Sequence, residues 1–253
     1  MWENLVSNLD DLAAILNREP NTERAAEYLY RFKGKFDHDW RRNQLLESPA
    51  DGIPLPPPRI HNLHPTGCTV TSTFLNFIFK APERSPFPER ADFQVKVTGT
   101  LALRSERHIQ LEDHWRVDTH HYHDQEQQGT SNLPREPHPF IHFQRGGHAQ
   151  DEFASEEGFV PGPSLDEQEG CAVWRGLMQT PGPRIPTLPM CPLIAIDFTI
   201  AQNDGSIWHA LRNVPEYSQL IGKAQKRLWS PIFEALTDIE HQRRWIGTLL
   251  VRS

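Results

Sequence analysis

Residues 68–79 read CTVTSTFLNFIF, and this stretch decides the fold. β-Branched and aromatic side chains fill it, and alternate positions form two sets. One set is Val70, Ser72, Phe74, Asn76 and Ile78, and the other is Thr69, Thr71, Thr73, Leu75, Phe77 and Phe79. A period of two is typical of a β-strand with two different faces. The stretch therefore predicts a long strand.

Three further stretches downstream predict strands. After a Pro-rich turn at 82–88, residues 93–103 alternate again, with Phe93, Val95 and Val97 on one side. Residues 108–123 and 138–144 give a third and a fourth strand. Short connections between consecutive strands favour an antiparallel meander whose one face is covered by helices.

Helical patterns lie on both sides of the sheet region. Apolar residues recur at steps of three and four in two N-terminal stretches that Pro20 separates, and again after Pro215. Ser230 and Pro231 have the order of a helix cap and a first-turn proline, so we expect a new helix there. The three stripes are Trp2, Leu5, Leu9, Leu12, Ala13 and Leu16; Ala25, Leu29, Phe32, Phe36 and Trp40; and Tyr217, Leu220, Ile221, Ala224 and Leu228.

These patterns predict one α+β domain over residues 1–253. It consists of an antiparallel β-meander of about four to five strands, flanked by an N-terminal helical hairpin and C-terminal helices. Its predicted parts are the hairpin at 1–47, a Pro-rich connector at 48–66, a sheet region with long loops at 67–200 and helices at 205–253. The apolar stretch 193–200 fits either a buried strand or the start of a helix.

Charge and cysteine content narrow the classes of function. The formal net charge of −7, without a run of Lys and Arg, disfavours a nucleic acid as the main ligand. No apolar run is long enough to span a bilayer, and the first residues lack a secretory signal pattern. Cys68, Cys171 and Cys191 are odd in number and form no CxxC pair, so we expect a reducing, cytoplasmic location.

Eight of the 13 histidines fall between His108 and His148, in the stretch that contains the predicted third and fourth strands. Alternation places His114, Asp118 and His120 on one face of the third strand, and His138, His142 and Gln144 on one face of the fourth. Imidazole and carboxylate groups from neighbouring strands can bind zinc or iron with an open coordination position. The candidate metal ligands are His114, Asp118, His120 and His142, with His138 and Gln144 as candidate ligand-binding residues.

The same histidines also fit a structural interpretation. Polar residues on a half-exposed sheet form hydrogen bonds with one another or with nearby carboxylates, and no HExxH motif accompanies them. A metal-dependent hydrolase or oxygenase that uses zinc or iron is therefore one hypothesis among others. A proton-transfer or pH-sensing role is a further hypothesis for this cluster.

The order of helices, four-stranded meander, Pro-rich crossover and C-terminal helices resembles the outline of ubiquitin-conjugating (E2-like) and RWD folds. His138-Pro139 is similar to the start of the His-Pro-Asn motif of these enzymes, but position 140 is Phe and no cysteine follows within about ten residues. The resemblance implies a carrier protein that uses Cys171 as its nucleophile. Cys171 also fits a core segment, since cysteine is often buried.

For two other features of the sequence, a structural role is the favoured interpretation. Asp197 stands among apolar residues, so we expect an ion pair with an arginine such as Arg184, or a backbone donor. Pro54, Pro57 and Arg59 match the PxxPxR spacing of SH3 ligands, although a stiff linker along the surface is the favoured interpretation.

The sequence contains no catalytic signature that would make an enzyme the first choice. Seven Trp and Pro-rich segments that suit surface contacts favour an interaction or accessory protein within a multi-protein assembly. A protein partner or a homo-oligomer is the expected association.

Overall fold

The computed structural model describes residues 2–59, 67–82, 88–102, 108–119, 141–145, 167–168, 171–172, 176–177 and 190–237. Nine strands lie within these ranges. They are β1 (Leu45–Glu47), β2 (Ile53–Leu55), β3 (Cys68–Lys80), β4 (Arg90–Ala102), β5 (His108–Thr119), β6 (Ile141–Arg145), β7 (Glu167–Gln168), β8 (Cys171–Ala172) and β9 (Gly176–Leu177).

Five helices occur in the described part of the chain. They are α1 (Leu5–Leu16), α2 (Glu23–Asn43), α3 (Pro192–Asn203), α4 (Gly205–Arg212) and α5 (Pro215–Thr237). The first two carry the N-terminal apolar stripes predicted from the sequence, and both stripes are mostly buried. The last three follow one another with turns of only one or two residues between them.

The central sheet has the order β1-β3-β4-β5-β6, and its strands are antiparallel. The path from β3 to β6 is the predicted meander, so the α+β class is confirmed. The two short strands β1 and β2 both pair with β3, while β9 pairs in parallel with β5. Strands β7 and β8 form a separate two-stranded sheet.

One face of the sheet forms the core, which we call the core face. The register aligns Phe77 of β3 with Phe93 of β4, and Phe93 with Val117 of β5, and all three side chains are buried. Helix α2 covers them, since the rings of Phe36 and Phe77 lie 6.0 Å apart. Burying each such side chain contributes about 1.5–3 kcal/mol, so alternation alone gives a strong preference for this face.

Helix α3 packs against the same face. The ring of Phe198 meets the ring of Trp115 edge-on at a centroid distance of 5.8 Å. Ten of the twelve α3 residues are buried, and most of these are apolar, as expected of a helix that is enclosed on nearly every side.

Of the two alternatives left open for 193–200, the structure has the helix, because Pro192 occupies the first turn of α3 and favours helix initiation there. Two local predictions are corrected. No new helix starts at Pro231, which lies inside the continuous helix α5. The predicted hairpin and connector contribute strands β1 and β2, because their apolar residues Leu46, Ile53 and Leu55 are buried at the edge of β3.

Candidate functional site

The face of the sheet opposite the core face carries the residues singled out from the sequence, and we call it the outer face. Phe143 of β6 lies on the core side, where its ring is 6.1 Å from that of Trp115. Its neighbours His142 and Gln144 therefore belong to the outer face. In β5, Trp115 and Val117 are buried in the core, so His114, Arg116 and Asp118 also belong to the outer face.

The register between β5 and β6 places Asp118 directly opposite His142. Two positions along β5, on the same face, Arg116 lies opposite Gln144. Directly opposite residues of an antiparallel pair have Cβ atoms about 4.5–5.5 Å apart, which is the separation that allows cross-strand side-chain contacts. A carboxylate and an imidazole in this relation are suited to share a proton or a metal ion.

His114 lies elsewhere on the same face. It pairs with Lys96 of β4, and its side chain is only 9% exposed. Four residues separate it from Asp118, which is roughly 13 Å along an extended strand. The register therefore brings together Asp118 and His142, and it leaves His114 with Lys96.

The remaining predicted ligands are not described. His120 and His138 lie outside the described residues. Among the side chains that the structure does describe, no group of three His, Cys, Asp or Glu residues is arranged to hold a metal ion. The assignment of zinc or iron to His114, Asp118, His120 and His142, and of a ligand to His138 and Gln144, stays a prediction.

The cysteines differ in their surroundings. Cys171 lies in β8 opposite Gln168 of β7, and its proposed nucleophilic role stays a prediction. Cys68 is half-buried, and Cys191 is a fully buried free thiol. Burial raises the pKa of Cys68 and of Cys191, although Arg227 and the backbone of α3 oppose the shift at Cys191. Both thiols are therefore kept protonated, which disfavours nucleophilic attack.

Asp197 anchors the three C-terminal helices to one another. Its carboxylate accepts hydrogen bonds from Trp208 Nε1 at 2.9 Å, Arg212 Nη2 at 2.6 Å and Tyr217 Oη at 3.0 Å. Burial raises the pKa of Asp197, while the charge of Arg212 and the three donors act in the opposite direction. The ion pair expected from the sequence forms with Arg212, whereas Arg184 lies outside the described residues.

The Pro-rich connector is fastened to the corner between α3 and α4. Asn203 Nδ2 donates to the carbonyl of Pro56 at 2.8 Å, and the backbone N–H of Arg59 donates to the carbonyl of Asn203 at 2.9 Å. Arg59 Nε also lies 2.7 Å from Asp204 Oδ2. These contacts support the interpretation of the PxxPxR stretch as a linker that is part of the fold.

A groove of about 610 Å³ runs along the outside of the α1–α2 hairpin. Tyr30 lines it and is 44% exposed, and Trp40 also lines it but is buried. Charged residues of both signs surround the two aromatic rings: Glu3, Asp10, Lys33, Asp37 and Arg41. This groove was not predicted from the sequence. The signal was available in the charges of α2, which recur at helical spacing around Tyr30.

Within the described residues, no helix has both the length and the apolar character required to cross a bilayer. Comparison with known proteins finds no family model, no curated protein and no solved structure that matches this chain.

Proposed function

We propose that this chain is an interaction subunit of a multi-protein assembly, and that it contacts its partner through the groove on the α1–α2 hairpin. The observation that carries the proposal is the exposure of Tyr30 beside this groove. Tyrosine is enriched at the centres of protein interfaces because it combines a large apolar area with a polar tip.

The charges around the groove support the same interpretation. Lys33 Nζ lies 2.7 Å from Asp10 Oδ2, and Arg41 Nε lies 3.0 Å from Asp37 Oδ1. A polar rim around an aromatic centre is the usual anatomy of a protein interface. Because the rim carries both signs, it is complementary to a partner surface of mixed charge, including a second copy of this chain.

The proposal includes a cytoplasmic location. Two observations support it: Cys191 is a free thiol, and the sequence has no paired cysteine motif. Free thiols persist where glutathione and thioredoxin keep proteins reduced.

Light scattering coupled to size-exclusion chromatography tests the interaction. The full chain, purified under native conditions from its own cells, is expected to elute with a stoichiometric partner or as an oligomer of its 29.2 kDa subunit. Tyr30→Ala should weaken this association by about tenfold, the typical effect of removing an interface hot spot. A wild-type chain that elutes as a monomer without a partner would contradict the proposal.

Phe233→Ala is the matched control. Phe233 of α5 is 54% exposed, and it is the other large hydrophobic side chain exposed in the described part of the chain. It does not line the groove, so its removal should leave the association unchanged. Equal effects of both substitutions would show that nonspecific hydrophobic contacts, rather than the groove, drive association.

A second candidate function is a metal-dependent hydrolase or oxygenase. The position of Asp118 directly opposite His142 is the observation that favours it. Elemental analysis of protein purified without chelators and without a polyhistidine tag tests this candidate. Stoichiometric zinc, iron or manganese is expected, and a metal-free protein that also takes up none of these ions would exclude it.

A further inference from the structure

The groove on the α1–α2 hairpin has a protruding ring and an open space on the same face of helix α2. Tyr30 and Gly34 both line it, and residues four apart in a helix are surface neighbours. Tyr30 is 44% exposed, and Gly34 is exposed as well. Beyond the backbone of its own helix, no atom lies within 4 Å of a Cβ atom added at Gly34. The ring of Tyr30 therefore stands beside a gap above the helix backbone.

The fold of helix α2 does not itself require a glycine at position 34. The position is helical, and it is not among the glycines with a positive φ. Glycine is a poor helix former, and a larger residue would meet no obstacle in the described surroundings. A glycine at such a position suits the close approach of another chain, because no side chain stands between the two backbones.

We propose that the occupant of the groove is a second copy of this chain. Helix α2 then packs antiparallel against α2 of the copy, with Tyr30 over Gly34 of the second copy. The inference rests on the proposed interaction function and deepens it by naming the partner. In a twofold contact, residue i meets residue j of the copy and residue j meets residue i. A twofold axis between Tyr30 and Gly34 therefore makes two identical contacts of a ring with a gap.

The place of this pair along α2 suits an extended contact. Helix α2 spans Glu23–Asn43 and is about 30 Å long. The midpoint between Tyr30 and Gly34 is position 32, one residue from the middle of the helix. An axis at this point lets almost the whole helix overlap with its copy. The antiparallel order also sets the N-terminal end of each helix beside the C-terminal end of the other, which is favourable for the two macrodipoles.

The charges toward the ends of α2 agree with this pairing. The same axis brings Glu23 opposite Arg41 of the second copy, and both side chains are exposed and opposite in sign. It also brings Glu27 opposite Asp37 of the second copy. Arg41 Nε lies 3.0 Å from Asp37 Oδ1 and offsets that negative charge. The attractive pair occurs twice by symmetry, so the charges favour this register of the two helices.

The groove is nearly balanced in charge, although the chain as a whole is not. A formal net charge of −7 makes two copies repel each other in most orientations. Two copies that meet through the groove experience less of this repulsion, since its lining has three carboxylates and two cations. These residues are Glu3, Asp10, Asp37, Lys33 and Arg41.

Analytical ultracentrifugation of the recombinant full chain, purified free of other proteins, tests the dimer. We expect a concentration-dependent equilibrium between the 29.2 kDa monomer and a species of twice that mass. Tyr30→Ala removes the ring and Gly34→Tyr fills the gap, so each should weaken the dimer by at least about tenfold. At a concentration where the wild type is monomeric, Gly34→Tyr should raise the midpoint of thermal unfolding, because tyrosine is a better helix former than glycine. Loss of the dimer is then separated from loss of the fold.

A mixture of the two variants tests the antiparallel pairing directly. Alone, Tyr30→Ala leaves two gaps facing each other, and Gly34→Tyr makes two rings collide. In a mixed pair, both contacts again join one ring to one small residue. We expect the mixture to form a 1:1 dimer with an affinity close to that of the wild type. Two variants that remain monomeric when mixed would overturn this pairing.

Gly222→Tyr is the matched control for the added ring. Gly222 is an exposed glycine of helix α5 that also has open space for a Cβ atom, and it does not line the groove. Its replacement should leave the dimer unchanged, and an equal loss of dimer would overturn the assignment to the groove.

A wild-type chain that stays monomeric at every concentration would overturn the second copy as the occupant. The proposed interaction function would still be supported if the chain purified from its own cells elutes with a different protein. Without such a protein, both proposals fail, so the two outcomes are distinguishable.

Discussion

Asp197 Oδ2 lies 2.6 Å from Arg212 Nη2, and this ion pair joins helix α3 to helix α4. Asp197 is almost fully buried, and its other carboxylate oxygen accepts from Trp208 and Tyr217. The guanidinium of Arg212 also lies over the ring of Trp208, 5.1 Å from its centroid. One carboxylate therefore fixes the relative positions of α3, α4 and the start of α5.

Asp197→Ala should destabilise the protein by about 3–5 kcal/mol, because three donors lose their common buried acceptor and Arg212 loses its counter-charge. Urea unfolding followed by circular dichroism measures this loss. Asp37→Ala is the control, since Asp37 and Arg41 form an exposed pair at 3.0 Å. Exposed pairs of this kind contribute about 0–1 kcal/mol. Similar losses in the two variants would contradict the anchoring role of Asp197.

The stabilising effect of Asp197 should also depend on pH in an unusual direction. Burial raises the pKa of Asp197, so the folded protein holds this proton more tightly than the unfolded chain. The associated stability is present below the unfolded pKa of about 3.9 and is lost as pH rises through the higher folded pKa. The stability difference between wild type and Asp197→Asn should therefore shrink as pH rises from about 4. A difference that grows over this range would contradict the raised pKa.

Asp204 should show the opposite pH dependence. Burial alone would raise the pKa of Asp204, but hydrogen bonds from Ser206 and Ile207 and the charge of Arg59 hold this pKa below its usual value. The unfolded chain then takes up the proton first as pH falls, so stability is lost below about pH 4 and is fully present above it. Unfolding of wild type and Asp204→Asn across the acid range measures this effect. A constant difference between the two proteins would show that the contacts of Asp204 do not favour its ionised form.

The sheet could be predicted from the sequence because alternation is a local property. Each strand from β3 to β6 has a core face that apolar residues mark, and a shift by one residue would expose all of them. Residues 193–200 gave no such signal, because a helix that is buried all round and a buried strand are equally apolar. Pro192 was the informative residue there, since a proline in the first turn favours a helix.

The candidate site was less predictable, because it depends on which residues face each other across strands. Alternation gives the face on which Asp118 and His142 lie, but the register between β5 and β6 follows a connection of more than twenty residues. The choice of Arg212 over Arg184 as the partner of Asp197 likewise depends on how α4 folds back on α3. These pairings are tertiary properties that no single segment encodes.

Gly52 provides a test of the turn that connects β1 to β2. Its φ of +69° lies in the left-handed region, and a Cβ atom at this position would lie 2.8 Å from Asn76 Oδ1. Asn76 has little freedom to move, because Ser48 Oγ donates to the same oxygen at 3.3 Å. Gly52→Ala should therefore destabilise the protein by about 2–3 kcal/mol through backbone strain and this close contact.

Gly222→Ala is the matched substitution in the interior of helix α5. Beyond the backbone of its own helix, no atom lies within 4 Å of a Cβ added there, and alanine is a better helix former than glycine. This variant should be stabilised by about 0.5–1 kcal/mol, so the two glycine substitutions are expected to have opposite signs. Thermal unfolding of both variants beside the wild type measures the two effects. A Gly52→Ala protein as stable as the wild type would show that this turn adopts another backbone conformation, with β2 no longer held against β3 by it.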